Sequence, residues 1–299
     1  MTVGLLLYTF ITLCGASKSS GEKNDRLLES FLLEVDSIYI EDPGEVKREM
    51  TLIYIHGYGG NAVADLSLMR EVGFISNEIE SRFRIVAPQA KETDRNPSLA
   101  WFPFLTYPWD DNPGADMGKR SDLDGASEIL MDLIRSEAAL YPDGSFNRII
   151  LFGWSQGGMM ATWLGMTSNS PFKGIVNYEG CFPLSSLDTN VSEAGKAVPV
   201  LTVHDPNDLV VRRAYVVAGQ AAAIKFGAEG YTPIIDVNTQ HHHSLEREPL
   251  DLVKGWIFGL LDNSNDGTGD WKERSASGQT AVCALSMTLY ILLTIVDIF

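Results

Sequence analysis

A serine, two aspartates and three histidines in this sequence follow one another in an order that could carry acyl-transfer chemistry. Ser155 sits between Gly153 and Gly157, the G-x-S-x-G pattern of a nucleophile elbow. A serine hydroxyl is a weak nucleophile until a base takes its proton, and the base needs a third group to orient it. Candidate acids come next, at Asp205 and Asp208, and candidate bases last, at His241, His242 and His243. Residue type alone leaves both aspartates and all three histidines open. Three adjacent histidines also suggest metal, but neighbours on an extended backbone point to opposite faces and no Cys/His cluster accompanies them, so no metal site is expected.

Such groups must be held by something stiff. Residues 148–152 are a β-branched and aromatic run suited to a buried strand, and Met159, Met160, Ala161, Trp163 and Leu164 continue as a buried helix. Similar runs predict strands at 50–55, 83–87, 148–153, 174–178, 198–204 and 232–237, with one antiparallel edge strand within 31–40. Helices are predicted at 64–81, 121–140, 156–167, 212–226 and 245–261, the second opened by Ser121 and Asp124 as a capping pair. Strands alternating with helices imply an α/β domain of three layers around a mostly parallel sheet. Sites in such sheets form at the carboxyl ends of strands. Ser155, the aspartates and the histidines all follow predicted strands.

Two further stretches fall at strand ends. The glycine-rich loop His56-Gly57-Tyr58-Gly59-Gly60 can turn a backbone N–H toward the serine, and Gln156 supplies another. Residues 96–114 carry Trp101, Phe102, Phe104, Tyr107 and Trp109 among four prolines, either as an apolar wall for an acyl chain or as a loop whose aromatics fill the core.

With these residues in view, the chain resembles the phospholipase/carboxylesterase family of α/β-hydrolases, which includes acyl-protein thioesterases and lysophospholipases. The likeness rests on the His-Gly loop at 56–60, Ala-Pro-Gln-Ala at 87–90, Ala-Trp-Phe at 100–102 and Gly-Trp-Ser-Gln-Gly-Gly at 153–158. It continues through Glu-Gly-Cys-Phe-Pro at 179–183, the acid loop at 204–211 and the segment 243–257. The resemblance implies an α/β-hydrolase fold with Ser155 as nucleophile, Asp208 as orienting acid and His243 as base. It implies an oxyanion hole from the N–H groups of Tyr58 and Gln156. Trp101, Phe102 and Phe182 are the expected substrate contacts. The implied activity is hydrolysis of carboxylic esters or thioesters with an apolar acyl group, without metal or organic cofactor. A lysophospholipase is the nearest alternative, and a non-catalytic surface binding protein the alternative from another class. Asp205 replaces the family's usual glycine after His204, so a second carboxylate is expected close to the base.

Composition narrows partners. The 299 residues carry 23 Lys+Arg against 39 Asp+Glu, a formal charge of −16, which argues against nucleic acid. An apolar run at 3–13 followed by Cys14-Gly15-Ala16 predicts a signal peptide over 1–16. The hydrolase domain is expected over 31–262, a polar spacer over 263–280 and an apolar tail over 281–299, the pattern of a lipid-anchor signal. A cell-surface enzyme held by a lipid anchor or by its tail is the resulting expectation. Cys14 and Cys283 fall in the leader and tail, leaving Cys181 alone in the domain and excluding an internal disulfide there.

Overall fold

Alternating apolar side chains along the strands need cover on both faces, and the helices supply it. The computed structural model describes residues 35–41, 49–92, 98–105, 116–183 and 191–262. The expected leader, spacer and tail, and Tyr107 and Trp109, lie outside the described residues. The chain divides into two compact units, Met1–Leu250 and Asp251–Phe299.

In the first unit the strands are β1 (Val35–Glu41), β2 (Met50–Ile55), β3 (Phe83–Ala90), β4 (Ile149–Trp154), β5 (Gly174–Tyr178), β6 (Val200–His204) and β7 (Ile235–Asp236). They form one sheet in the order β1-β3-β2-β4-β5-β6-β7, with β1 antiparallel and the rest parallel. The helices are α1 (Ala62–Glu71), α2 (Asn77–Arg82), α3 (Arg120–Ala138), α4 (Gln156–Thr167), α5 (Glu193–Ala197), α6 (Arg213–Lys225) and α7 (Arg247–Asp262). Of the second unit only the later turns of α7 are described, with Val253, Trp256, Ile257 and Leu260 spaced for one helical face.

Strand alternation sorts the core into two halves. Ile53 and Ile55 of β2 and Ile149 and Leu151 of β4 join residues of α3, α4 and α6 in one buried cluster. Tyr54 and Phe152 point the other way, where the Tyr54 hydroxyl donates to Asp65 of α1 at 2.8 Å and Phe74 packs edge-on against Phe152. The expected three layers are therefore present. Cys181 is a buried free thiol whose pKa burial pushes up to about 12, as befits a small core residue rather than a nucleophile. No helix among the described residues is long and apolar enough to cross a membrane.

Three expectations change. The single helix expected at 64–81 is two, because Gly73 takes φ +85° between them. Ser121 and Asp124 do not cap α3: its N-cap is Lys119, with no side-chain cap bond. The last strand shrinks to Ile235–Asp236, since Pro233 has no N–H to give the ladder.

Candidate active site

The elbow is a matter of what cannot fit. Ser155 joins β4 to α4 with φ 54° and ψ −119°, a conformation that side chains rarely adopt. The turn is tight enough that a Cβ on Gly153 would lie 2.0 Å from the Gly157 carbonyl oxygen, and one on Gly157 1.9 Å from the Ile55 oxygen. Glycine at both positions is thus a steric requirement of packing strand, turn and helix together. The Ser155 N–H donates to the Tyr178 carbonyl at 2.8 Å, fixing the turn to β5 and leaving the hydroxyl to other partners.

That hydroxyl meets His243. Ser155 Oγ is 2.9 Å from His243 Nε2, and His243 Nδ1 is 2.7 Å from Asp208 Oδ2. A carboxylate on Nδ1 fixes the tautomer with its proton there, so Nε2 presents a lone pair to the serine proton. Asp208 is held by the N–H groups of Val210 and Val211, which donate to its Oδ1 at 2.6 and 3.0 Å. Among the three histidines only His243 reaches the serine.

His243 sits on a loop without helix or strand, so its position needs explaining. Glu246 accepts the N–H groups of Gln240 and His241 and the Ser244 hydroxyl. The Tyr178 hydroxyl donates to the Ser244 carbonyl at 2.9 Å. Asp205, fully buried, accepts the Thr239 N–H and hydroxyl at 2.8 and 2.7 Å and faces His242 Nδ1 at 3.0 Å. Burial works against the Asp205 carboxylate, but the donors from Thr239, His242 and Asn207 outweigh it and hold the group well below its usual range. The second carboxylate foreseen beside the base therefore pairs with His242 and ties down the loop.

The glycine-rich loop passes directly beside Ser155, since a Cβ on Gly57 would be 3.4 Å from Ser155 Cβ. His56 braces it. Its Nδ1–H donates to the Gly57 carbonyl at 2.7 Å, while Nε2 accepts the Ala90 N–H at 3.1 Å. Burial lowers this imidazole to about 4, so it stays neutral at any ordinary pH. Among the described residues no acceptor bonds the backbone N–H of Tyr58 or of Gln156, the first residue of α4.

Trp101, Phe102 and Phe182, the expected substrate contacts, lie in the core. Trp101 and Phe102 are 0% exposed and Phe182 3%, so of the two roles open to the aromatic segment the core role is the one seen here. Trp101 is instead a brace: its indole N–H donates to the His56 carbonyl at 2.7 Å and its backbone N–H to Gln156 Oε1 at 3.0 Å. Gln156 Nε2 in turn donates to the Phe102 carbonyl at 2.8 Å. One side chain thereby links the elbow to the aromatic segment, and the Phe182 ring packs 6.0 Å from that of Trp163.

Sequence reasoning also missed Glu179. It follows β5, is fully buried, and takes φ 52°. Its Oε2 accepts the Trp154 indole N–H at 3.2 Å and lies 3.6 Å from His243 Nδ1. Burial, with smaller contributions from Asp208, Asp205 and Glu246, pushes the carboxyl up to about 8 against the Trp154 hydrogen bond, leaving it mostly protonated at neutral pH. Glu179, Asp208 and His243 each place a potential ligand atom within 4.8 Å of the others, yet the Asp208–His243 bond already uses that space.

A mostly parallel sheet carrying a strained serine turn on its central strand, with histidine and aspartate on the loops after β7 and β6, defines an α/β-hydrolase. The chain belongs to the phospholipase/carboxylesterase family, whose sequence profile matches residues 37–257. It is similar to acyl-protein thioesterase 1 of Schizosaccharomyces pombe, 29% identical over 172 residues that make up 56% of this chain and 71% of the relative. Similarity to the mouse lysophospholipase-like protein 1 is 22% over 232 residues, 75% of this chain and 92% of the relative. The crystal structure of Arabidopsis thaliana SOBER1 shares the fold, with a TM-score of 0.59 at 22% identity, covering 71% of this chain and 99% of that one.

Proposed function

We propose that this chain is a serine hydrolase that cleaves carboxylic esters or thioesters bearing an apolar acyl group. The observation that carries the reading is the Ser155–His243–Asp208 line at 2.9 and 2.7 Å. His243 Nε2 takes the Ser155 proton as Oγ attacks the carbonyl carbon. The oxyanion so formed is met by the N–H groups of Tyr58 and Gln156. Collapse breaks the bond to the alcohol or thiol, which leaves with the proton from His243. Water, deprotonated by the same histidine, then frees the acid and restores Ser155. No step calls on a metal or organic cofactor.

Preference for an apolar acyl group is supported by the loops that carry the site. Tyr58 follows Gly57 and is 49% exposed, while Leu209 follows Asp208 and is 83% exposed. The thioesterase and lysophospholipase-like relatives support acylated proteins and single-chain lipids as the two substrate classes. A turnover panel of p-nitrophenyl esters, acyl-thioester peptides and lysolipids decides between them. Long acyl esters should turn over faster than acetate, and equal rates for all chain lengths would contradict an apolar acyl site.

The sequence of the leader and tail supports an enzyme displayed on an outer membrane face. Phosphatidylinositol-specific phospholipase C should then release activity from intact cells. Activity that stays cell-bound, on a chain still ending in Phe299, would contradict the lipid anchor.

A further inference from the structure

We propose that Glu179 is a positioning residue for His243, a second carboxyl group set against the ring nitrogen that Asp208 already holds. It rests on the reading that Ser155 and His243 perform the hydrolysis, and adds a residue that reading does not use.

Three observations converge on this side chain. Glu179 Oε2 is 3.6 Å from His243 Nδ1, next in line after Asp208 at 2.7 Å. The same oxygen accepts the Trp154 indole N–H, and the Trp154 ring lies 5.7 Å from the imidazole at an interplanar angle of 34°. Glu179 thus bears on the base directly and through the ring beside it. Its backbone is the third observation. Among the described residues the non-glycine positions with positive φ are Leu99, Ser155, Glu179 and His242. Ser155 and His242 belong to the elbow and the base loop, and Leu99 lies two residues before the Trp101 brace. Strain of this kind persists where surroundings over-determine it, as at functional sites. Glu179 is held there by its own N–H, which donates to the Val203 carbonyl of β6 at 2.8 Å.

Burying an acid without a full set of hydrogen-bond partners is costly. Oε1 has no hydrogen-bond partner among the described residues. The groups around the carboxyl are Trp154 from β4, Tyr178 beside it on β5, Asp205 and Asp208 after β6, and His243 and Glu246 from the base loop. Three of these are acids, and they add to burial, the larger cause, in keeping the proton on Glu179. Replacing Asp208 takes away the carboxyl oxygen at 2.7 Å from His243 Nδ1 and leaves Glu179 Oε2 at 3.6 Å. The Glu179 carboxyl is then the nearest side-chain acceptor paired with the Nδ1–H and can keep the imidazole in its productive tautomer.

The test is a double-mutant cycle read as kcat/KM across neutral and alkaline pH. It uses the full chain with Asp208→Asn, Glu179→Gln and the pair, alongside Asp208→Ala in case the asparagine amide itself competes for the ring. Active-site titration counts only folded enzyme. Glu179→Gln should cost about three- to tenfold when Asp208 is intact and about 100-fold or more when it is replaced, the non-additivity of groups that share one partner. Either Asp208 variant should also gain activity with rising pH, as Glu179 ionises, and Glu179→Gln should abolish that gain. Equal factors in both backgrounds with no alkaline gain would overturn the proposal. Ser155→Ala separates the two readings: an active Ser155→Ala chain means the hydrolase reading has failed, whereas an inactive one with equal factors refutes Glu179 alone.

Discussion

Ser155→Ala should lower kcat on any ester or thioester substrate by on the order of a millionfold, the loss expected when the nucleophile of a triad is removed. The fold should survive, because the hydroxyl makes no cap bond to α4. Removing it breaks the hydrogen bond to His243 and leaves the backbone bonds of the turn in place. Alanine can take the same turn at similar strain, and the flanking glycines that make the turn possible are untouched. The residual rate should match that of a Ser155→Ala/His243→Ala pair, since members of a triad act as a unit and their losses do not add. Steady-state kinetics with circular dichroism on each variant checks both statements. A folded Ser155→Ala enzyme within about tenfold of the parent would exclude covalent catalysis at this residue.

The adjacent histidines should differ by orders of magnitude. His243→Ala should approach the loss seen for Ser155→Ala, because Nε2 at 2.9 Å is the base within reach of the hydroxyl. His242→Ala removes a partly exposed partner of Asp205, and Thr239 still grips that carboxylate through two bonds. Its effect should stay below about tenfold, as for a side chain that helps to place the loop but moves no proton. His241 contributes its backbone N–H to Glu246, a bond that alanine retains, so His241→Ala should be milder still. Rates of the three single variants, at equal active-site concentration, give the comparison. Should His242→Ala be the inactive one, the base has been assigned one residue too late.

The strands that carry the site were legible because strand burial leaves an unambiguous mark. Residues 50–55 and 174–178 are buried throughout and largely apolar, and their bounds are those expected. The elbow was legible for the same reason, being glycines and a serine wedged between two strong patterns. The break at Gly73 was hidden because Phe74, Ile75 and Ile79 continue an apolar pattern across it. Trp101 was ambiguous through its chemistry: an aromatic near a site reads as a ligand contact, and only burial and an indole hydrogen bond reveal a brace. Losing that ring would also strand the His56 carbonyl in the core, so its contribution is to stability, on the order of 3–5 kcal/mol for a buried tryptophan. Glu179 left one sign in the sequence, an acid immediately after a fully buried strand, whose meaning depends on a histidine 64 positions later, at 243. The Asp205–His242 pair is of the same kind, two side chains 37 residues apart that meet through loop geometry alone.

The proposed activation of Ser155 by His243 is tested by a single covalent adduct. The protein is reacted with a fluorophosphonate and the adduct mapped by peptide mass spectrometry. One phosphonylated residue is expected, Ser155, with labelling slowed sharply by His243→Ala and hardly at all by His242→Ala. An adduct on another residue, or labelling of Ser155 at an undiminished rate without His243, would contradict the mechanism.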